Sequence, residues 1–353
     1  MLLNSTFAPF AAETRPRVDR PRALQVVAAD GGSADLAWKL LDSSGYLDET
    51  TPALRPMLAD AYREYWRRVL PGGDDYLMLA RSGQQPVGTL AVSRQCGGTW
   101  IWQHVGIDAG FRKRSAHAKN RTILAMYRTT AQLLLRDQRV RHLSITCARH
   151  KPFNVATYHA FATAYGDRMR CSVHDLAVHK IDPSTAAATG AAPAPRLSGS
   201  GWQELATWLR TRAPGAASAA LELAGDPPCC AQRLGFAYRA HGRLAAAAVV
   251  EIAGLGSNLF GLRNSIRVFD LGLPANEREA ATMALVHAAL AEFRARGERE
   301  AVLFADADSM PPPEGLPFAA GIEAMHFAIA REALPAWIEY FGAMFTARLR
   351  ESA

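Results

Sequence analysis

Residues 100–135 read WIWQHVGIDAGFRKRSAHAKNRTILAMYRTTAQLLL. An alternating strand over 100–107 runs into a basic turn and directly into an amphipathic helix. The first N–H groups of a helix lack partners within it, and the dipole places partial positive charge there, so such a start is a ready anion site. Arg112, Lys113, Arg114, His117, Lys119 and Arg121 add side-chain cations.

Working outward, 353 residues suit two domains of roughly 150 to 170 each. The hydrophobic fraction of 49% with 21% charged residues describes a globular chain with ample core material. A net charge of +7, carried by a widely spread arginine excess, favours anionic partners. No zinc-finger spacing or aromatic RNA-binding motif is present, so no specific nucleic-acid partner is expected. The five cysteines, Cys96, Cys147, Cys171, Cys229 and Cys230, show no C-x-x-C spacing. They argue against a disulfide scaffold or zinc site, and no metal is assigned. The carboxylates Asp306, Asp308 and Glu314 stand near Pro311–Pro313 without metal spacing. The longest apolar run, 244–255, is interrupted by Glu251 and is too short for a membrane span. With no signal-peptide pattern at the start, the cytoplasm is the expected location.

In chain order, residues 1–22 hold no helical or strand period and read as a flexible arm. A strand at 24–28 and a helix opening near Ser33 follow. A second helix over 53–70 places Leu54, Leu58, Tyr62 and Trp66 on one face. A hairpin spans 76–80 and 87–93, then comes the opening strand and helix. A short strand at 141–147, a helix at 154–165 and a last strand at 172–179 complete residues 23–182. Trp66, Trp100 and Trp102 are read as core. Residues 183–200, PSTAAATGAAPAPRLSGS, read as an interdomain linker.

Residues 201–353 repeat the plan. Helices are expected at 202–211 and 216–224. A hairpin turning at His241-Gly242, strand material in 259–272, a helix over 277–296 ended by Gly297, a strand at 301–306 and a helical tail at 334–349 follow. The matching order implies an internal duplication. The fold class is therefore α+β (mixed α/β): two tandem domains, each a mixed, mostly antiparallel sheet flanked by helices.

IDAGFRKRSAH at 107–117 resembles the signature of the GNAT superfamily of N-acyltransferases, in which a strand ending V-x-P-x-Y-R leads into a Q/R-x-x-G-x-G/A loop and a long helix. Ile107, Phe111 and Arg112 fill the apolar, aromatic and basic positions. Downstream, HKPFNVATYHAFATAYG is similar to the family's N-x-x-A-x-x-x-Y helix. The resemblance implies acetyl-CoA or a longer acyl-CoA as donor. Arg112, Lys113, Arg114, Ser115, Lys119, Arg121 and Asn154 would hold it. A small-molecule amine would be the acceptor, with an acyl carrier protein as another thioester source, and a homodimer is compatible with the sequence. Ser115 and His117 stand where the family has glycines, and Phe161 stands at the tyrosine position. Tyr158, one turn earlier, becomes the candidate acid for the departing thiolate, and His104 the candidate base. The bland alternatives are a core tyrosine and a sheet-face histidine.

In the second half the corresponding helix starts PANERE, where Asn276 and Glu279 suggest a capping box whose carboxylates would repel a pyrophosphate. Donor binding is therefore expected in the first half alone. Two functions remain open: an acyltransferase acting on an amine, and a catalytically silent GNAT-like regulator or scaffold that binds an anionic nucleotide, such as a cyclic dinucleotide, or a protein partner.

Overall fold

The computed structural model describes residues 23–46, 55–73, 75–186, 194–212, 215, 221, 223, 230–253, 264–306, 312–319 and 321–351. The arm expected over 1–22, most of the helix expected at 216–224, and Asp308 lie outside these residues.

Among the described residues eleven strands form one continuous sheet: β1 (Leu24–Ala28), β2 (Tyr76–Ser82), β3 (Gln85–Cys96), β4 (Thr99–Ile107), β5 (His142–Ala148), β6 (Cys171–Ile181), β7 (Cys230–Ala240), β8 (Arg243–Ala253), β9 (Asn264–Asp270), β10 (Ala301–Asp306) and β11 (Ile322–Ala330). Their order is β1-β2-β3-β4-β5-β11-β6-β10-β9-β8-β7. Only β4–β5 and β9–β10 run parallel; the other neighbours are antiparallel. The mixed, mostly antiparallel sheet agrees with the sequence reading, and the two halves are fused along it.

Period-2 patterning builds the hairpins. Leu90 and Val92 enter one core while Ala91, between them, enters another across the sheet. The second hairpin turns at His241 (φ 51°) and Gly242 (φ 79°), the paired left-handed geometry that a two-residue hairpin loop demands.

The helices are α1 (Ala34–Ser43), α2 (Arg55–Val69), α3 (Ala109–Arg114), α4 (Ala116–Arg136), α5 (Pro152–Asn154), α6 (Ala160–Tyr165), α7 (Gly199–Arg212), α8 (Arg278–Ala295) and α9 (Leu334–Glu351). A single π turn, Val155–His159, joins α5 to α6. On one face of the sheet lie α4, α6, α8 and α9. On the other, α1 and α2 cover the β2–β4 end and α7 covers the β7–β8 end. Trp66, Trp100 and Trp102 are buried as expected. The α7 helix begins at Gly199, three residues before the expected start.

Chain order does not match spatial order at the centre. Strand β11 inserts between β5 and β6, while β6 reaches across to pair with β10. Each half thus gives its last strand to the middle of the shared sheet. Met325, Phe327 and Ile329 of β11, with Leu334, Trp337, Phe341 and Phe345 of α9, are buried in the core of the first half. Trp337 stacks on Phe341 at 4.7 Å and lies 4.7 Å from Trp102. Strand β11 was absent from the sequence reading. Its segment IEAMHFAIA is short and carries Glu323 and His326 among apolar residues, so neither the helical nor the strand period stands out.

Candidate functional site

Strands β4 and β5 begin as a parallel pair and then part. Thr99↔His142, Trp100↔Leu143 and Ile101↔Ser144 are in register, and no pair follows. On their outer edges both remain laddered, β4 to β3 as far as Ile107 and β5 to β11 as far as Ala148. The two strands therefore diverge between their carboxyl ends, leaving a wedge-shaped opening. Within it β4 bulges. The register passes from Ala91↔Gln103 to Thr89↔Gly106, so His104 and Val105 stand opposite Leu90 alone. A bulge re-aims backbone groups at a site. Gly106 is where α1 seats itself on the bulge, since a Cβ there would lie 3.2 Å from the Leu40 carbonyl and from the Leu41 Cα.

The basic loop lies at the mouth of this opening. Where the sequence reading places a basic turn, the structure has α3, a short helix capped by Asp108, whose Oδ1 accepts the Phe111 N–H at 2.8 Å. The chain then breaks at Ser115 (φ −159°, ψ 116°), and α4 begins with the Ala118 N–H donating to Ser115 Oγ at 3.1 Å. The residue at 115 is extended, so no glycine is needed there. The N–H groups of Ala116 and His117, first in α4, have no partner within the helix. Arg112, Lys113, Arg114 and Arg121 are exposed, while Ser115 and Lys119 are half-buried. Arg112 reaches the Ser44 carbonyl and Arg114 the Gln85 side chain, at 3.4 and 3.5 Å. Among the described residues none of these cations is ion-paired to a carboxylate. Their charge is available to an anion from solvent.

The remaining sequence candidates fall in different places. Asn154 donates from Nδ2 to the Ala148 carbonyl at 2.8 Å and so ties α5 to the end of β5. The His104 backbone forms the bulge; its side chain lies outside the described residues. Tyr158 sits in the π turn and is fully buried, its hydroxyl 3.4 Å from that of Tyr127. Burial pushes Tyr158 well above the usual phenol range and carries Tyr127 to about 12. Cys147, just past the parting of β4 and β5, acts electrostatically on both and is itself raised to about 12, again by burial. Trp102 closes this cluster, edge-on to Tyr127 at 5.1 Å. The cluster is a neutral, proton-bearing group in the core of the first half. It was not legible in the sequence, because its members come from α4, β5 and the π turn.

The second half repeats the parting in outline. Val302↔Ser265, Leu303↔Ile266 and Phe304↔Arg267 are paired, and β9 and β10 then separate. Among the described residues it lacks the rest of the apparatus. The β8–β9 register runs without a shift, and the helix start carries Glu277 and Glu279 around a single cation, Arg278. The capping box expected from Asn276 and Glu279 does not form, since no side chain caps this helix. Glu277 instead faces Tyr238, and Arg278 pairs with Asp270 at 3.1 Å. The acidic character that disfavours a pyrophosphate remains. Among the described residues no helix is long and apolar enough to cross a membrane.

No family model matches the sequence, and no curated protein matches it significantly. Solved structures do align with it. A tandem GNAT protein from the clavulanic acid biosynthesis pathway is similar at TM-score 0.47 and 15% identity, covering 88% of this chain and 99% of that one. A GCN5-related N-acetyltransferase from Sphaerobacter thermophilus aligns at TM-score 0.45 and 14% identity, over 87% of this chain and 96% of that one. A putative acetyltransferase from Thermoplasma acidophilum aligns at TM-score 0.41 and 10% identity, over 87% and 99%.

Proposed function

We infer that the protein is a GNAT-like acyltransferase, which passes an acyl group from an acyl-CoA or acyl-carrier thioester to an amine. The observation that carries this reading is the parting of β4 and β5 in front of the unpaired cations of α3 and α4. A pantetheine arm is narrow and mostly apolar, and it fits a gap between strands whose edges still offer hydrogen bonds. Its diphosphate then lies at the start of α4, where the Ala116 and His117 N–H groups and Arg112, Lys113, Arg114, Ser115, Lys119 and Arg121 meet it. Backbone N–H groups at the His104–Val105 bulge face the thioester carbonyl, where negative charge develops as the amine attacks.

In the reaction the amine nitrogen bonds to the acyl carbon, the C–S bond breaks, the nitrogen loses a proton and the thiolate gains one. His104 is the candidate base and Tyr158 the candidate acid. The burial of Tyr158 keeps its proton in place at neutral pH, and the sulfur must enter the wedge beside Cys147 and Tyr127 to receive it. A second reading has one observation in its favour. The Tyr158 hydroxyl is closed off against Tyr127, as suits a silent module that binds an anionic nucleotide or a protein partner.

Calorimetry with acetyl-CoA, a long-chain acyl-CoA and a cyclic dinucleotide separates the two. Acyl-CoA binding that Arg114→Glu weakens at least tenfold, with Glu279→Ala nearly neutral, supports the donor site. Binding of the dinucleotide with no heat from any CoA species overturns the enzyme reading.

A further inference from the structure

Where β6 ends and β10 begins, the described residues line a cavity of about 480 Å³, inside the range of roughly 300–1,000 Å³ that small-molecule sites occupy. It lies on the seam between the halves. Lys180, Ile181 and Asp182 come from the end of β6, in the first half, and Arg299, Glu300 and Ala301 from the start of β10, in the second. Ile181 pairs with Ala301 where the β6–β10 ladder starts, and both are buried, so the cavity has an apolar floor. The segment before β11 supplies a further wall. There the Ala319 N–H donates to the Lys180 carbonyl at 2.8 Å, and the half-buried Phe318 ring, 6.2 Å from that of His179, adds an aromatic surface.

The rim carries charges of both signs. Lys180 and Arg299 are exposed, while Asp182 and Glu300 are half-buried. Asp182 is already engaged, since its Oδ1 accepts the Ser184 N–H at 2.8 Å and the Ser184 hydroxyl at 2.7 Å. Lys180, Arg299 and Glu300 are not. Among the described residues none of these three makes an ion pair or a side-chain hydrogen bond. Opposite charges that line one cavity without pairing leave room between them for a ligand that carries both signs and takes charge-assisted hydrogen bonds from each side. A simple anion would meet the two carboxylates and a simple cation the two basic side chains, so the rim selects against either. A zwitterion with an apolar body matches both the rim and the floor.

We propose that this cavity binds a free α-amino acid with a large apolar side chain. Its carboxylate lies on Lys180 and Arg299, its ammonium on Glu300, and its side chain against Phe318 and the Ile181–Ala301 floor. The site does not depend on the acyltransferase reading. Because its walls come from both halves, the ligand bridges them at the strand pair that fuses the sheet.

Calorimetry on the full chain tests this. Leucine, methionine, phenylalanine and tryptophan are titrated beside their carboxamides and their N-acetyl derivatives, with glycine as the ligand that lacks the apolar body. At least one of the four is expected to bind ten times or more tightly than its amide, its N-acetyl derivative and glycine. The double variant Lys180→Gln, Arg299→Gln should erase the preference over the amide and keep the preference over the N-acetyl form; Glu300→Gln should do the reverse. Arg299→Lys and Glu300→Asp, which keep the charges, should each retain part of the preference. Binding of none of the four, equal binding of an amino acid and its two derivatives, or preferences that survive the Gln variants overturns the proposal.

Discussion

Ser115 stands where the resembled signature has a glycine, and its backbone shows why the substitution is tolerated. At φ −159° the residue is extended, and its hydroxyl caps α4. Ser115→Ala is expected to cost about 1 kcal/mol in urea unfolding through the lost cap, and Ser115→Gly only a few tenths. A stabilising Ser115→Gly would show that strain is stored there after all. Gly106 is the opposite case, since any Cβ crowds the α1 backbone. Gly106→Val should destabilise by roughly 1–3 kcal/mol, as overpacking does, and a neutral result would mean that α1 does not rest on the bulge. At Asp137 the hydrogen bonds from Arg139 hold the carboxyl at about 2, below its usual 3.8. A depressed carboxylate stabilises the fold above its unfolded pKa and loses that contribution as pH falls through the folded one, by up to about 2 kcal/mol. The cost of Asp137→Asn should therefore be full at pH 7 and shrink between about pH 4 and pH 2. A cost independent of pH over that range would refute the pairing.

At the scale of elements, the sequence was readable wherever one period dominated. The order of strands and helices from Leu24 to Ile181 follows from apolar periodicity, turn glycines and prolines. Features that depend on a neighbouring element were not readable. The break between α3 and α4 carries no glycine or proline, and the parting of β4 from β5 is a property of their pairing, not of either strand. The π turn at Val155–His159 is another such feature. A π turn leaves a carbonyl outside the regular helical ladder, and here Tyr340 of α9 donates to the Ala156 carbonyl at 2.7 Å. Tyr340→Phe should cost about 1 kcal/mol and raise hydrogen exchange around residues 155–159; unchanged exchange would mean that the π turn stands without α9.

Across the whole molecule, the exchange of β6 and β11 makes each half depend on the other. The duplicated order was legible in the sequence because both halves share the succession of hairpin, strand, long helix and strand. The exchange was not, since nothing in IEAMHFAIA says which sheet it joins. Truncation after residue 321 removes β11 and α9, including Phe327, Trp337 and Phe341. It should unfold the first half, although every deleted residue belongs to the second by chain order. Near-ultraviolet circular dichroism should show the loss of the Trp102 and Trp337 environment, and a native signal from the truncated chain would contradict the exchanged topology.

The asymmetry between the halves also operates at this scale. Both part their parallel strands, yet among the described residues only the first combines the parting with a bulge and an unpaired basic helix start. Hydrogen exchange with and without saturating acetyl-CoA tests this most directly. Protection at residues 102–119 with none at residues 268–282 is the result expected; protection at neither, or equally at both, would contradict a single donor site in the first half.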